Sequence, residues 1–288
     1  MTIEQTVCDL PSAPGLHQLH LRPPSEIPEK GAFLFFHGLG DYIDRYPPFL
    51  KSIVNLGYHV CLTDLPGHGR SPGARGEIRS CEVILELAEV SVAVLPKGVP
   101  LGVCGHSMGG LLALWTFLQQ LERFDFAWFS SPLLRPGHDL SPFQRSLMLT
   151  AARFFPRLGW STGVKAADCA PPIPPAPSDE HAQSLAPPLF HARVSLGWAR
   201  ELAAISDDVW SLFPPARAVS DPAPLLFTQG TADRICPPEI LDRFLEEAAA
   251  TERTLQLLPD ALHEPFRGPD PDGFSQILTD WFQKLPQR

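Results

Sequence analysis

Residues 101–118 read LGVCGHSMGGLLALWTFL, and they give the strongest indication of the fold class. An apolar, strand-like run leads into it, and a second apolar run with helical character leaves it. Between them, Gly105, Ser107 and Gly109 fit G-x-S-x-G, which marks a nucleophile elbow when a strand precedes it and a helix follows. Flanking glycines let the strand and the helix approach closely. The sequence therefore predicts a sharp turn that presents the Ser107 hydroxyl at the edge of a sheet.

Apolar runs like residues 101–104 recur along the chain and predict a mostly parallel sheet. Each is short and ends in a turn signal, as strands buried on both faces do. Segments with helical periodicity lie between them, and this alternation is typical of an α/β fold with helices on both faces of the sheet. The predicted strands are 31–36, 58–63, 101–104, 126–130, 224–228 and 254–258, and the predicted helices are 49–57, 83–94, 111–121 and 240–250.

The alternation is interrupted between about Pro132 and Asp221, where no comparable strand run occurs. Residues 143–158 and 189–205 have amphipathic, helix-like patterns. Between them, residues 169–177 read CAPPIPPAP, which is incompatible with a helix or a central strand.

This interruption predicts the domain organisation. We expect residues 1–131 and 222–288 to form the two parts of the core, with residues 132–221 inserted as a helical lid that contains the proline-rich segment. The alternative is a pair of ordinary surface helices joined by a disordered proline linker.

A serine hydroxyl is a poor nucleophile until a base takes its proton, so a histidine oriented by a carboxylate must lie within reach. His263 follows the last predicted strand and Asp233 follows the strand before it. The carboxyl ends of parallel strands meet at one edge of the sheet, where ligands bind. The chain order serine, acid, histidine also fits this type of elbow. We therefore predict Ser107 as nucleophile, Asp233 as acid and His263 as base. The weaker candidates for the acid are Asp207, Asp208 and Asp260.

The oxyanion formed when serine attacks a carbonyl needs two N–H donors aimed at it. The residue after the nucleophile supplies one of them, and here it is Met108. The second donor comes from the loop after an early strand, which here reads HGLGD from residue 37. Glycines on both sides of Leu39 let the backbone turn inward, so we predict the N–H groups of Leu39 and Met108 as the oxyanion hole.

Composition excludes several classes of function. The chain has 288 residues and a net charge of −9, and no cluster of Lys and Arg supplies the basic face of a nucleic-acid binder. The amino terminus lacks a secretory signal pattern, and no apolar run is long enough to span a bilayer. The six cysteines form no C-x-x-C pair, which indicates reduced and mostly buried thiols. We therefore expect a cytoplasmic protein.

The motifs indicate neither a cofactor nor a metal. Residues 67–73 read GHGRSPG after a strand, but the third glycine is one place late for G-x-G-x-x-G, and Pro72 would interrupt the helix that should follow. H-E-x-x-H and carboxylate clusters with metal-ligand spacing do not occur. We predict no cofactor and no metal.

Five blocks of sequence together resemble a known family. In chain order they are HGLGD from residue 37, DLPGHGRSPGARG from 64, GHSMGG from 105, GTADRICPP from 230 and LHE from 262. Over roughly residues 30–285 the chain resembles the α/β-hydrolases of the monoacylglycerol lipase and lysophospholipase group, in the serine aminopeptidase-like branch. The resemblance implies an α/β-hydrolase fold, with the same three residues as the catalytic triad and the same two amides as the oxyanion hole.

Motifs and resemblance together predict a serine hydrolase that cleaves a carboxylic ester, such as a monoacylglycerol or a lysophospholipid, through an acyl-enzyme. An apolar lid is compatible with contact with a lipid surface, although no basic amphipathic helix argues for it. In the resembled family the lid lines an apolar acyl channel. The candidates to line it here are Phe143, Leu147, Phe155, Phe190 and Trp198.

Several alternatives stay open at this point. The same triad would serve another ester, a thioester, an amide or a carbon–carbon bond, and the fold also occurs as a catalytically silent binding protein. The apolar lid residues could instead pack only between the lid and the sheet, because apolar residues at helical spacing are usually core.

Overall fold

A computed structural model gives the fold, and it describes residues 1–170, 189–213, 223–247 and 253–286. The strands of an eight-stranded sheet are β1 (Thr2–Cys8), β2 (Leu16–Arg22), β3 (Gly31–Phe36), β4 (Tyr58–Thr63), β5 (Leu101–His106), β6 (Phe126–Ser130), β9 (Leu225–Gly230) and β10 (Arg253–Leu258). A separate antiparallel ribbon consists of β7 (Gly159–Ser161) and β8 (Arg193–Ser195).

The order across the sheet is β1-β2-β4-β3-β5-β6-β9-β10. The pairs from β4 to β10 are parallel, whereas β1–β2 and β2–β4 are antiparallel. Parallel pairing brings the carboxyl ends of β3, β5, β9 and β10 to the same edge of the sheet. The predicted site residues come directly after these strands, so they lie at that edge.

Helices cover both faces of this sheet. They are α1 (Pro47–Asn55), α2 (Glu82–Ala93), α3 (Met108–Gln119), α4 (Pro142–Phe154), α5 (Ala166–Cys169), α6 (Leu196–Leu212), α7 (Pro238–Glu247) and α8 (Pro271–Gln283). In β3, Phe33 and Phe35 belong to the core beneath α1 and α8, whereas Leu34 and Phe36 belong to the core beneath α2 and α3. The predicted α/β class, with a mostly parallel sheet and helices on both faces, is confirmed.

None of the helices in the described part of the chain is both long and apolar enough to cross a membrane.

The antiparallel hairpin of β1 and β2 was not expected from the sequence. The sequence of β1, TIEQTVC, contains no apolar run, and most of its residues are exposed. In β2, Gln18 and His20 are buried polar side chains that satisfy each other: His20 Nε2 lies 2.7 Å from Gln18 Oε1, and the Gln18 amide donates to Thr63 Oγ1 at 2.9 Å. Because these buried residues are polar, a search for apolar runs does not identify β2 as a strand.

The chain between β6 and β9 adds no strand to the main sheet over residues 131–170, 189–213 and 223–224. The helix predicted to reach residue 158 ends at Phe154, because Pro156 disfavours helical backbone in the residue before it. The helix predicted from residue 189 begins only at Leu196. Residues 193–195 pair with β7 instead, and the Ser195 hydroxyl caps the helix by accepting the Trp198 N–H.

Two of the sequence predictions for this segment lie outside the described residues. They are most of the proline-rich run and the boundary between 221 and 222. The insertion of residues 132–221 as a lid stays a prediction.

Phe282 on α8 completes an aromatic cluster on one face of the sheet. Its ring centroid lies 5.4 Å from that of Phe33, 5.0 Å from that of Tyr58 and 5.7 Å from that of Phe126. The side chain is fully buried. These contacts pack α8 against β3, β4 and β6.

We expect Phe282→Ala to lower the free energy of unfolding by about 3–5 kcal/mol, because the variant removes a buried ring and leaves a cavity. Phe154→Ala makes the same chemical change where the side chain is 74% exposed. This control should alter the free energy of unfolding by less than about 0.5 kcal/mol. Urea denaturation measures both variants, and equal losses would contradict the position of α8.

Candidate active site

The elbow around Ser107 has the strained geometry that its glycines permit. Ser107 has φ 57° and ψ −121° and is the residue before α3. A Cβ on Gly105 would lie 2.1 Å from the carbonyl oxygen of Gly109, and a Cβ on Gly109 would lie 2.0 Å from the carbonyl oxygen of Phe36. Both distances are too short for any side chain. The glycines therefore let the start of α3 press against the ends of β5 and β3.

Ser107, His263 and Asp233 form one hydrogen-bonded series. His263 Nε2 lies 2.7 Å from Ser107 Oγ, and His263 Nδ1 lies 2.8 Å from Asp233 Oδ2. An ionised carboxylate only accepts hydrogen bonds, so Nδ1 donates to Asp233, and Nε2 is left to accept the serine proton. All three side chains are buried. The structure thus brings together the three residues predicted from the sequence to form the triad.

The Asp233 carboxylate accepts four hydrogen bonds. Its Oδ1 accepts the backbone N–H groups of Ile235 at 2.9 Å and Cys236 at 3.0 Å. Its Oδ2 accepts the Gln229 side-chain amide at 2.9 Å as well as His263. These four hydrogen bonds fix the orientation of the Asp233 carboxylate toward the imidazole.

The other aspartates that the sequence analysis considered have different partners. Asp207 lies 3.2 Å from Arg135 on the surface, and Asp208 accepts the Trp115 indole N–H at 3.4 Å. Asp260 follows β10 with φ 58°, and its backbone N–H donates to the Thr231 hydroxyl. The acceptor of the His263 Nδ1–H is Asp233.

The two amides predicted for the oxyanion hole come from different parts of the chain, because Met108 directly follows the serine and Leu39 belongs to the loop after β3. Met108 is the first residue of α3, so its N–H has no acceptor within the helix, and the positive end of the helix dipole lies there. Leu39 lies in the loop after β3. In that loop a Cβ on Gly38 would lie 3.4 Å from the Cβ of Ser107. The loop backbone therefore passes close to the serine, and the role of both amides stays a prediction.

The five apolar residues predicted to line an acyl channel lie in two different environments. Phe143, Leu147 and Phe155 are 75%, 60% and 63% exposed. Phe190 is partly buried, and Trp198 is fully buried with its indole N–H 3.3 Å from Met108 Sδ. In this conformation Trp198 packs against the residue next to the serine, whereas the first three face solvent. Their contact with an acyl chain stays a prediction.

A buried charge cluster of Asp41, Arg45, Tyr46 and Glu264 lies beside the site, and no sequence motif predicts a role for these residues. Asp41 ends the HGLGD block, and Glu264 follows His263 directly. The sequence offers one indication of this cluster. The blocks that contain the predicted base and the predicted oxyanion loop each include an acidic residue, and an arginine follows one of these four positions later. The pairing between positions 45 and 264 is not apparent from the sequence alone.

Asp233, Cys236 and His263 also offer potential metal-ligand atoms that all lie within 4.8 Å of one another. Burial raises the pKa of the Cys236 thiol well above its usual range, which disfavours the thiolate that binds metals. Asp233 and His263 are already hydrogen-bonded to each other. The arrangement therefore suits proton transfer better than metal binding.

Three further histidines near this edge are buried in the neutral form. Burial lowers the pKa of His37, and it lowers the pKa of His68 and His106 well below the usual range. The neighbouring His37 and His191 add to the effect on His68. The folded protein therefore binds protons at these positions more weakly than the unfolded chain does.

This difference predicts acid destabilisation. The stability from keeping these histidines neutral is complete above the unfolded-state pKa of about 6.5 and is lost as the pH falls below it, by up to about 1.4 kcal/mol per pH unit for each histidine. Chemical denaturation between pH of about 7.5 and 5.5 measures the loss. His68→Phe should reduce this pH dependence, whereas the same change at the exposed His138 should not. Identical pH dependence in both variants would contradict the prediction.

The chain is similar to known proteins over most of its length. A family model described as serine aminopeptidase, S33, matches residues 27–270. Phospholipase YtpA of Bacillus subtilis is 26% identical over 243 residues, which are 82% of this chain and 89% of that protein. An abhydrolase domain-containing protein of Dictyostelium discoideum is 26% identical over 86% of this chain, which spans only 26% of that longer protein.

Among solved structures, the crystal structure of a monoacylglycerol lipase from Paleococcus ferrophilus superimposes with a TM-score of 0.80 at 26% identity. The match covers 94% of this chain and 99% of that one. The similarity therefore extends over most of the chain.

Proposed function

The chain belongs to the serine aminopeptidase S33 family, in the monoacylglycerol lipase group of α/β-hydrolases that the sequence predicted, and we propose on that premise that it cleaves carboxylic esters through an acyl-enzyme. The observation on which the proposal depends is the hydrogen-bonded series from Ser107 Oγ through His263 to Asp233. A hydroxyl 2.7 Å from an acceptor nitrogen is within reach for proton transfer.

Acylation begins when Ser107 Oγ attacks the ester carbonyl and its proton passes to His263 Nε2. Asp233 keeps the Nδ1–H tautomer in place and stabilises the imidazolium that forms. The imidazolium then gives the proton to the leaving alcohol as the bond between the carbonyl carbon and the alcohol oxygen breaks. The acyl group remains on Ser107 as an ester.

Deacylation repeats the sequence with water. His263 takes a proton from water, the hydroxide attacks the acyl-enzyme carbonyl, and Ser107 leaves with the proton returned from His263. In both halves the negative charge on the carbonyl oxygen is stabilised by the N–H groups of Leu39 and Met108. Each such donor contributes about 3–4 kcal/mol to lowering the barrier.

For the substrate we propose a lipid-like acyl ester such as a monoacylglycerol or a lysophospholipid. The names of a phospholipase and a monoacylglycerol lipase among the similar proteins support this class. The large exposed apolar side chains between residues 143 and 160 support it as well, because a lid over a lipid substrate needs an apolar surface. Phe143, Leu147 and Phe155 would then turn toward the acyl chain when substrate binds.

Ser107→Ala should abolish hydrolysis of a short p-nitrophenyl ester while the folded state persists, because the variant removes only the attacking oxygen. Loss should reach the roughly 10⁴- to 10⁶-fold expected when a nucleophile is deleted. Labelling by a fluorophosphonate probe should disappear with it. Circular dichroism and the thermal midpoint check that the variant folds.

The matched control is Ser131→Ala. Ser131 is also a buried serine with positive φ, 44°, directly after the neighbouring strand β6. Its activity and labelling should equal those of the unmodified protein. Hydrolysis that survives in Ser107→Ala, or that is lost equally in Ser131→Ala, would remove Ser107 from the proposed role.

A panel of p-nitrophenyl esters of increasing chain length, with the p-nitroanilide of the preferred acyl group, tests the substrate class. Burial of each added methylene contributes up to about 0.8 kcal/mol, so kcat/KM should rise with chain length by as much as about 4-fold per methylene until the apolar surface is filled. The ester should react faster than the anilide. A maximum at acetate, or faster cleavage of the anilide, would contradict a lipid-like acyl ester.

A further inference from the structure

Arg45 is a buried arginine that joins two loops far apart in sequence. Its Nη1 donates to Asp41 Oδ1 at 2.7 Å and its Nη2 donates to Glu264 Oε2 at 2.7 Å. All three side chains are buried, so water does not screen these contacts. Arg267 donates a second hydrogen bond to Glu264 Oε2 at 2.9 Å. The charges of both carboxylates are therefore balanced within the protein.

Tyr46 extends this cluster to the loop beside Ser107. Its hydroxyl donates to Asp41 Oδ2 at 2.7 Å and accepts the backbone N–H of Gly38 at 3.1 Å. Tyr46 is fully buried. The residue it holds, Gly38, precedes Leu39 and packs against the serine. One continuous set of hydrogen bonds thus runs from Gly38 through Tyr46, Asp41 and Arg45 to Glu264.

The two ends of this set adjoin the two loops that the reaction needs. Gly38 is the neighbour of Leu39, the proposed oxyanion donor, and Glu264 is the neighbour of His263, the proposed base. Because the loops follow β3 and β10, which are not adjacent in the sheet, the sheet itself does not connect them directly. The buried charge cluster provides that connection.

We propose that Arg45 and Tyr46 are positioning residues, which hold the loop of Leu39 and the loop of His263 at a fixed separation across Ser107. The inference rests on the proposed function of these loops. A displacement of about 1 Å in such groups is enough to reduce the rate by up to roughly 100-fold without changing how the ground-state substrate binds. The effect of the cluster should therefore appear in kcat and not in KM.

Tyr46→Phe tests the link to the oxyanion loop, and Tyr58→Phe is its matched control. Tyr58 is also fully buried, and its hydroxyl donates to the carbonyl of Phe282 at 2.9 Å. It is the first residue of β4, so it lies at the edge of the sheet opposite the site loops. Each variant removes one buried oxygen. With a p-nitrophenyl ester, Tyr46→Phe should lower kcat by roughly 10- to 100-fold with KM within about 3-fold of the original. Tyr58→Phe should leave both constants unchanged.

Arg45→Lys tests the other half of the cluster. Lysine keeps the charge but has no planar fork to contact both carboxylates at once. The same fall in kcat at nearly constant KM is expected, with the thermal midpoint measured for every variant. If Tyr46→Phe does not fold, Arg45→Lys decides by the same criterion.

The outcomes separate this proposal from the proposed function. If the unmodified protein neither hydrolyses esters nor reacts with a fluorophosphonate, the proposed function fails and the positioning role fails with it. If it does both, but Tyr46→Phe and Arg45→Lys keep the original kcat, only the positioning role is overturned. Equal loss of kcat in Tyr46→Phe and Tyr58→Phe, or a change confined to KM, would overturn it as well.

Discussion

The close approach of α3 to the ends of β3 and β5 is the constraint on which the site depends. At Gly109 the helix backbone contacts the carbonyl of Phe36 so closely that no Cβ fits, and Ser107 adopts a backbone conformation that is unfavourable for a residue with a side chain. A larger residue at Gly109 would push the helix away from β3. That movement would separate the Met108 N–H from the loop of Leu39, so the geometry of the elbow and that of the proposed oxyanion hole have one common cause.

The electrostatics of the site depend on how three buried carboxylates are compensated. Asp233 is stabilised by neutral donors and faces His263 directly. Asp41 and Glu264 are both paired with Arg45, and Glu264 is also paired with Arg267, so two arginines balance the two carboxylates. The carboxylate in direct contact with the imidazole is therefore that of Asp233. In the proposed mechanism it stabilises the imidazolium that forms during the reaction.

The sequence predicts those parts of the molecule that depend on local pattern. The short apolar runs predict a parallel sheet and therefore the class of fold. The glycines around Ser107 predict the edge of the sheet at which the site lies. The β1–β2 hairpin is missed because Gln18 and His20 are buried as a hydrogen-bonded pair and break the apolar pattern. The start of α6 is missed because residues 193–195 pair with β7, which lies more than thirty positions earlier in the chain. Arg45 and Glu264 escape prediction for the same reason, since their contact joins distant segments.

Stability alone gives a weak reason for an arginine to be buried at position 45. Taking a guanidinium and two carboxylates out of water is costly, and replacing such a group with packed apolar side chains is often neutral or stabilising. Directed, short contacts supply something that apolar packing does not, because each donor and acceptor accepts only a narrow range of positions. A cluster that adds little to the free energy of unfolding can thus still define the separation of two loops. Such a cluster is useful where a nucleophile, a base and an oxyanion donor come from three separate strand ends.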